Sequence, residues 1–325
     1  MAEILLSIRN LKTYFYTEDG VVEALDGINL DIYQGETIGL VGETGCGKSV
    51  TALSIMQLIP TPPGKIVAGE IFFQGEDLLK KSTEEMRQIR GGKISMIFQD
   101  PMTSLNPVYT IGDQISEAIY LHQTNDRQRV MEGVLESLRM VRIADVEDRA
   151  RSFPHQFSGG MRQRSMIAMM LSCMPALLIA DEPTTSLDVT IQAQVLDLMN
   201  DLQKELGTSI LLITHNLGIV AETCNRVGVM YSGNMIELAD AGPLFANPLH
   251  PYTKGLLGSI PRPDRDIEQL EVIPGSVPSL IDPPTGCRFH PRCTHAMDIC
   301  RTSKPREILV EKGHMVACFL YQERP

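Results

Sequence analysis

The chain has 325 residues, which is enough for about two domains of ordinary size. Hydrophobic residues make up 43% and charged residues 21% of the chain, values that exclude global disorder and fibrous structure. The 29 Lys and Arg against 40 Asp and Glu give a net charge of -11, which argues against a nucleic-acid backbone as the main partner.

Neither a membrane span nor an export signal is predicted. The longest uncharged apolar stretch, Ser165 to Ala180, is shorter than the roughly 20 residues that a membrane span needs. The N-terminus carries Glu3 and Arg9 around a short apolar run and lacks the long apolar region of a signal peptide. We therefore expect the protein to stay in the cytoplasm.

The first informative element is a buried strand over residues 36–41, ETIGLV. The glycine-rich segment GETGCGKS (Gly42–Ser49, the phosphate loop below) follows it and fits G-x4-G-K-[ST], and helical spacing then resumes. In such a loop backbone N–H groups cradle phosphates, Lys48 reaches the β and γ phosphates and the Ser49 hydroxyl binds Mg²⁺. A chance glycine turn would not explain the flanking strand and helix.

A helical insert is predicted over about residues 101–172, where no convincing strand occurs. Near its end, Phe157-Ser158-Gly159-Gly160-Met161 stands directly before a helix. Because a helix N-terminus attracts anions, this Ser-Gly-Gly predicts a second anion site.

Two further strands, Leu177 to Ala180 and Ser209 to Ile213, alternate with an amphipathic helix and predict a parallel sheet covered on both faces. The first strand ends at Asp181-Glu182. There Asp181 is expected in the magnesium shell, with Glu182 as general base beside the γ-phosphate.

A separate C-terminal extension begins after about Phe245, where repeated prolines interrupt regular structure. Four of the seven cysteines lie in it, at Cys287, Cys293, Cys300 and Cys318. Four thiolates suit tetrahedral zinc or a [4Fe-4S] cluster, and plain thiols or disulfides are the third alternative. The absence of a C-x2-4-C pair argues against zinc, while the histidines His290, His295 and His314 offer substitute ligands.

Cys46 lies in the phosphate loop beside a predicted helix N-terminus. That position predicts a lowered thiol pKa and alkylation that blocks ATP binding unless nucleotide protects it.

With these motifs in this order, the chain resembles the ATP-binding subunits of ABC transporters over about residues 4–258. The implied fold is α/β: a P-loop ABC ATPase with a RecA-like parallel sheet core, an antiparallel β subdomain and a helical subdomain. A small irregular metal-binding extension over 259–325 follows the nucleotide-binding domain over 1–258.

The resemblance also assigns individual roles. Gln99 belongs to the Q-loop, Ser186-Leu187-Asp188 to the D-loop, and His215 is the switch histidine. Phe15 is expected to stack on adenine, with Tyr14 and Tyr16 as rivals. The ATP contacts implied are Gly42, Glu43, Thr44, Gly45, Cys46, Gly47, Lys48, Ser49, Val50, Gln99, Asp181, Asp188, Ser158, Gly159 and Gly160, with Mg²⁺ at Ser49, Gln99 and Asp181.

Longer strings such as MIFQDPMTSLNP and NPLHPYTKGLLGSIP resemble the oligopeptide/dipeptide permease branch. The resemblance implies an ATP-hydrolysing motor for peptide import, peripheral on the cytoplasmic face of the membrane. Its partners would be a sister ATPase, two permease subunits and an extracytoplasmic peptide-binding protein, and some members carry a [4Fe-4S] cluster in this tail. The alternatives are an importer motor for nickel or another small solute, an ABC-type ATPase acting on DNA or ribosomes, and a regulatory module without turnover.

Overall fold

The computed structural model describes residues 3–99, 105–184, 188–259, 272–311 and 313–322. The chain forms two compact units that are interleaved in sequence. The first unit comprises residues 1–5, 32–36 and 80–212, and the second comprises 6–31, 37–79 and 213–325. The phosphate loop and the C-terminal extension therefore belong to the same unit.

The second unit contains a four-stranded sheet with the order β2-β1-β4-β5. Its strands are β1 (Ile4–Thr17), β2 (Gly20–Tyr33), β4 (Gly64–Phe73) and β5 (Glu76–Asp77). Strands β1 and β4 are antiparallel, with Leu6 opposite Phe73 and Phe15 opposite Gly64. This sheet agrees with the antiparallel part that the resemblance implied.

The second unit also contributes strands in the order β11-β12-β10-β9-β3. They are β3 (Thr37–Val41), β9 (Arg226–Tyr231), β10 (Asn234–Asp240), β11 (Ile308–Glu311) and β12 (His314–Val316). Strand β3 is buried along its whole length and runs parallel to β9, as its unbroken apolar run predicted. The remaining neighbours are antiparallel.

Five helices of the second unit are described: α1 (Lys48–Ile55), α8 (Leu217–Thr223), α9 (Ala241–Ala246), α10 (Pro251–Gly258) and α11 (Asp298–Thr302). Helix α1 begins at Lys48, within the last residues of the phosphate loop, with Gly47 as its N-cap. Helix α10 begins with Pro251, which needs no hydrogen-bond partner there, and the His250 side chain accepts the Tyr252 N–H at 3.0 Å.

The first unit contributes strands in the order β8-β7-β6: β6 (Ile94–Ile97), β7 (Leu177–Asp181) and β8 (Ser209–Ile213), of which Ile213 falls in the second unit. The predicted strands at 177–180 and 209–213 are thus confirmed, and β6 and β7 are parallel.

The helices of the first unit are α2 (Thr83–Ile89), α3 (Ile111–His122), α4 (Arg127–Met140), α5 (Val146–Ala150), α6 (Gly159–Leu171) and α7 (Val189–Leu206). The described part of the predicted insert contains helices joined by loops and no strand.

The C-terminal extension is more regular than predicted. Its described segment 272–289 has no helix or strand, which agrees with its prolines, but β11 and β12 pair with each other and β12 pairs with β10. His314 and Val316 on β12 are buried, an alternation too short to stand out in the sequence. Of the prolines that suggested irregularity, Pro261 and Pro263 lie outside the described residues.

Within the residues that the structure describes, no helix combines the length and apolar character needed to cross a membrane.

Candidate nucleotide site

The phosphate loop is built around glycines that no other residue could replace. Gly42 has a φ of 147°, and a Cβ there would lie 2.2 Å from the Met230 carbonyl oxygen. Gly47 has a φ of 108°, and its Cβ would lie 2.7 Å from the Ala24 carbonyl oxygen. Side chains are therefore excluded at both positions, and the loop backbone packs directly against neighbouring main chain there.

Lys48 is the cation of this loop. It is 7% exposed, and its Nζ donates to the carbonyl oxygens of Gly42 at 2.7 Å and Glu43 at 3.2 Å. The ammonium thus lies folded against the loop backbone. Ser49 and Val50, which follow it on α1, are half-buried.

The tip of the loop, residues 44–45, is exposed. No neighbouring atom lies within 4 Å of a Cβ built on Gly45, whose φ is 80°. This end of the loop therefore leaves room for a ligand, whereas Gly42 and Gly47 are closely packed.

Cys46 corrects one expectation. The side chain is 1% exposed and burial raises its thiol pKa, although Lys48 beside it works in the opposite direction. The prediction of a lowered thiol pKa at Cys46 is wrong. The helix N-terminus favours a thiolate, but the free-energy cost of burying that charge in the protein interior is larger. Cys46 contributes to the loop through its backbone and its packing against Gly42.

The C-terminal extension contacts the phosphate loop at Glu43. Arg292 donates two hydrogen bonds to the Glu43 carboxylate, at 2.7 and 3.2 Å, and the Glu43 N–H donates to the Tyr252 hydroxyl at 2.9 Å. Sequence reasoning missed this contact. Arg292 is 249 residues from Glu43, and no local pattern links two residues so far apart.

In the first unit, β7 ends at Asp181, which is 3% exposed. Glu182 follows with a φ of 49°, a left-handed conformation that is uncommon for a residue with a side chain and frequent at functional sites. Gln99, just after β6, donates to the Glu182 carboxylate at 3.3 Å. The structure thus brings together two of the three residues predicted to act in hydrolysis.

The Ser-Gly-Gly segment begins α6. Ser158 is the N-cap and its hydroxyl accepts the Met161 N–H at 3.3 Å, while Gly160 packs against Ile191. Buried Gln163, the fifth residue of the helix, donates to the Pro183 carbonyl oxygen. The helix that carries the predicted second anion site is therefore tied to the segment that follows Glu182.

Two further predicted residues follow or precede regular elements. Exposed Asp188 caps α7 by accepting the Ile191 N–H at 3.0 Å, and exposed His215 follows β8. Ser186 and Leu187 lie outside the described residues.

The three candidates for adenine stacking lie at the end of β1. Phe15 is half-buried, and its ring lies against Gly64, where a Cβ would be 2.9 Å from the ring. Tyr14 is also half-buried, whereas Tyr16 is 52% exposed. Phe15 and Tyr14 thus remain covered on one side, and Tyr16 is the most accessible of the three.

The four cysteines of the extension line one pocket, together with His290 and His295. Cys300 is buried and the other three are half-buried. No group of three or more His, Cys, Asp or Glu side chains in the described part of the chain is arranged to hold a metal ion. His314 does not line this pocket, because it lies 2.8 Å from the Glu237 carboxylate, and it is no substitute ligand.

Two family models match this chain, one in its N-terminal part and one in its C-terminal part. Residues 25–185 match the family model "ABC transporter", and residues 236–300 match "Oligopeptide/dipeptide transporter, C-terminal region". The oligopeptide transport ATP-binding protein AppD of Bacillus subtilis is 52% identical over 98% of this chain and 97% of its own length.

The chain belongs to the ATP-binding proteins of oligopeptide/dipeptide ABC transporters. As a member of this family it is an ATPase that drives a transporter, and the comparisons do not support the DNA- or ribosome-directed alternative. A probable peptide ABC transporter ATP-binding protein, y4tR of Sinorhizobium fredii, is 53% identical over 99% of this chain and 96% of its own length.

Solved structures agree on the fold of this peptide-transporter ATPase. The ATP-binding cassette MJ0796, solved as a dimer bound to ADP and Pi, matches with a TM-score of 0.64 and 25% identity. The match covers 73% of this chain and 98% of that one. The predicted P-loop ABC ATPase fold, a mixed sheet with helices, is confirmed.

Proposed function

We propose that the phosphate loop, Gly42–Ser49, holds the triphosphate of ATP in this peptide-transporter ATPase, with Val50 at the start of the helix behind it. The support is the loop backbone, which leaves no space for a side chain at Gly42 and Gly47 and has the Lys48 ammonium lying against it. Phe15 stacks on the adenine ring.

Magnesium is held at Ser49, Gln99 and Asp181. Hydroxyl, amide and carboxylate oxygens are suitable ligands, since Mg²⁺ is usually bound by one or two carboxylates together with substrate phosphates. Bound there, the ion supplies neutralisation of phosphate charge.

Glu182 is the general base and Gln99 holds it. The support is the hydrogen bond between their side chains at 3.3 Å, together with the left-handed backbone that turns Glu182 away from the strand. A carboxylate so held orients a water molecule and accepts its proton, and His215 acts beside the γ-phosphate.

Ser158, Gly159 and Gly160 contact the nucleotide held by a second ATPase domain, as does Asp188. MJ0796 was solved as a dimer, which supports a paired arrangement. In this chain the partner is a sister ATPase, and the pair closes around ATP and opens after hydrolysis.

Replacing the base tests this assignment. We expect Glu182→Gln to retain ATP binding and to lower kcat by about 100-fold or more, because proton transfer to a positioned base contributes 10²–10⁴. ATP binding and phosphate release are measured on the same preparation, with Glu222→Gln, on α8, as a carboxylate control. Turnover within a factor of about three of the unchanged chain would remove Glu182 as the base.

The cargo is short peptides, imported through two membrane permease subunits that receive them from an extracytoplasmic binding protein. The support is the C-terminal match over residues 236–300, together with the similarity to AppD, whose name describes it as an oligopeptide transport protein. The chain then acts as a peripheral protein on the cytoplasmic face of the membrane. A nickel or other small-solute importer is the alternative, and uptake of labelled dipeptide, oligopeptide and nickel by cells lacking the chain separates these cargoes.

The four cysteines of the extension bind a [4Fe-4S] cluster, which anchors the extension. Their common pocket supports this, since four thiols and no carboxylate line it. A zinc ion needs four sulfurs at about 2.3 Å from one point, whereas each cysteine of a cluster binds a different iron, so the thiols stand farther apart. The lack of a C-x2-4-C pair among the four cysteines favours the cluster over zinc.

The metal content of Cys293→Ser tests the cluster. We expect about four iron and four sulfide per chain in the anaerobically purified protein, with broad absorption near 400 nm, and loss of both in the variant. Cys173→Ser is the control, because Cys173 is half-buried and lies outside the pocket. Stoichiometric zinc, or metal and protease resistance unchanged in Cys293→Ser, would contradict the assignment.

A further inference from the structure

Every polar group of Glu43, the second residue of the phosphate loop, is engaged. Its N–H donates to the Tyr252 hydroxyl at 2.9 Å and its carbonyl accepts from Lys48 at 3.2 Å. Its two carboxylate oxygens accept from the two terminal nitrogens of Arg292, at 2.7 and 3.2 Å. Two of these three partners come from the C-terminal part of the chain.

Arg292 is itself rigidly held. Its side chain is 5% exposed, and its Nε donates to the Pro274 carbonyl oxygen at 2.9 Å. The guanidinium also lies 5.9 Å from the centre of the Tyr231 ring. Five N–H donors in a fixed plane make this geometry specific to arginine, since a lysine ammonium cannot donate to both carboxylate oxygens in the same way.

A carboxylate inside a loop that receives phosphates is unfavourable by itself. The Glu43 side chain is 29% exposed, so water screens its charge only in part. Arg292 supplies the compensating positive charge on the side of the carboxylate where the extension lies. Without Arg292, the Glu43 charge would repel an anionic ligand and the carboxylate would leave its fixed position.

We infer that Arg292 is a positioning residue of the nucleotide site, which neutralises and fixes Glu43 so that the phosphate loop accepts ATP. This rests on the proposed role of the phosphate loop in ATP binding. The C-terminal extension is then a component of the nucleotide site, and Arg292 connects it to the loop.

A double-mutant cycle on the full chain tests the inference, with Mg-ATP affinity as the measurement. We expect Arg292→Met to raise the Kd for ATP about tenfold, the size expected for one uncompensated, partly screened charge near the site. In a Glu43→Gln background the same change should raise Kd by less than about twofold, because no charge is left to compensate. Equal effects of Arg292→Met in both backgrounds would overturn the inference.

Arg292→Lys keeps the charge but not the paired hydrogen bonds, so an intermediate Kd is expected. It also keeps the cycle usable if the methionine variant does not fold. If Arg292→Lys leaves the Kd unchanged, the positive charge by itself accounts for the effect of residue 292 on ATP binding. That result would overturn the positioning role.

Arg288 provides the matched control. It is 6% exposed, comes from the same segment, and pairs with Glu23 without contacting the phosphate loop. Arg288→Met should change the Kd by less than about twofold, as a contact outside the loop requires. A tenfold rise in the Kd of Arg288→Met would mean that any loosening of the extension weakens ATP binding. That result too would overturn the specific role of Arg292.

Lys48→Ala separates this inference from the proposed function. If Lys48→Ala retains ATP affinity, the assignment of the phosphate loop fails, and the inference with it. If Lys48→Ala loses affinity while Arg292→Met keeps it, only the inference fails.

Discussion

At the scale of single residues, Asp26 on β2 lies among several positively charged side chains. Burial works to raise its pKa, but hydrogen bonds from Lys12 and Lys304, with the charges of Lys304 and Arg288, hold that pKa at about 2 against an ordinary 3.8. The bond to Lys304 joins the antiparallel sheet to the C-terminal extension.

Asp26 should therefore contribute stability that depends on pH. Its folded pKa is depressed, so the contribution is present above about pH 4 and is lost as the pH falls toward 2. We expect Asp26→Asn to lower the free energy of unfolding by about 2 kcal/mol at pH 7, and by progressively less below pH 4. Urea unfolding at several pH values measures this. A difference that stays constant down to pH 3 would contradict the ion-pair account.

Cys46 and Lys48 illustrate how far sequence reasoning reaches at this scale. The roles expected of Lys48 and the loop glycines followed from a contiguous motif, in which spacing alone places the groups. The thiol of Cys46 lies in the same motif, yet its pKa depends on burial, which is decided by packing against residues elsewhere in the chain. Local patterns predicted the backbone correctly and the side-chain environment incorrectly.

At the scale of elements, Glu237 on β10 joins three parts of the second unit. Its fully buried carboxylate accepts the N–H groups of Leu249 at 2.6 Å and His250 at 2.9 Å, just before α10. On its other side it lies 2.8 Å from His314 on β12. A single side chain thus accepts the backbone N–H groups of the two residues before α10 and also contacts a strand of the extension.

Removing this carboxylate should be costly. We expect Glu237→Ala to lower the free energy of unfolding by about 3 kcal/mol or more, because buried donors would be left without an acceptor. Glu237→Gln keeps an acceptor oxygen, so a smaller loss is expected. Chemical denaturation of both variants measures the difference, and a loss below about 1 kcal/mol for Glu237→Ala would show that the site relaxes around the gap.

The elements themselves were predictable where apolar runs were long or flanked by a motif, as for β3, β7 and α7. Strands β11 and β12 were not, because they are only 4 and 3 residues long and follow a proline-rich segment. Strand β12 pairs with β10, which lies far away in sequence, and β11 pairs with β12. Tertiary contacts of this kind leave no periodicity for sequence analysis to detect.

At the scale of the whole molecule, both units contribute residues assigned to binding and to hydrolysis, with Asp181 in the first unit and His215 in the second. The phosphate loop belongs to the second unit, whereas Gln99, Glu182 and the Ser-Gly-Gly segment belong to the first. Replacing Glu182 leaves every residue of the phosphate loop in place, and for this reason Glu182→Gln is expected to separate ATP binding from turnover. The motif order revealed both sets of residues, and the family comparison confirmed the fold that carries them.

The pairing of β12 with β10 has a consequence for how the chain avoids association with itself. A sheet edge with unpaired N–H and C=O groups is a template for other chains. Here β12 covers the edge of β10, and β11, whose Leu309 is 69% exposed, takes over as the outermost strand. A chain ending at residue 258 would lack both strands and leave β10, most of whose residues are buried, as an open edge prone to aggregation. The extension thus protects the solubility of the ATPase that precedes it.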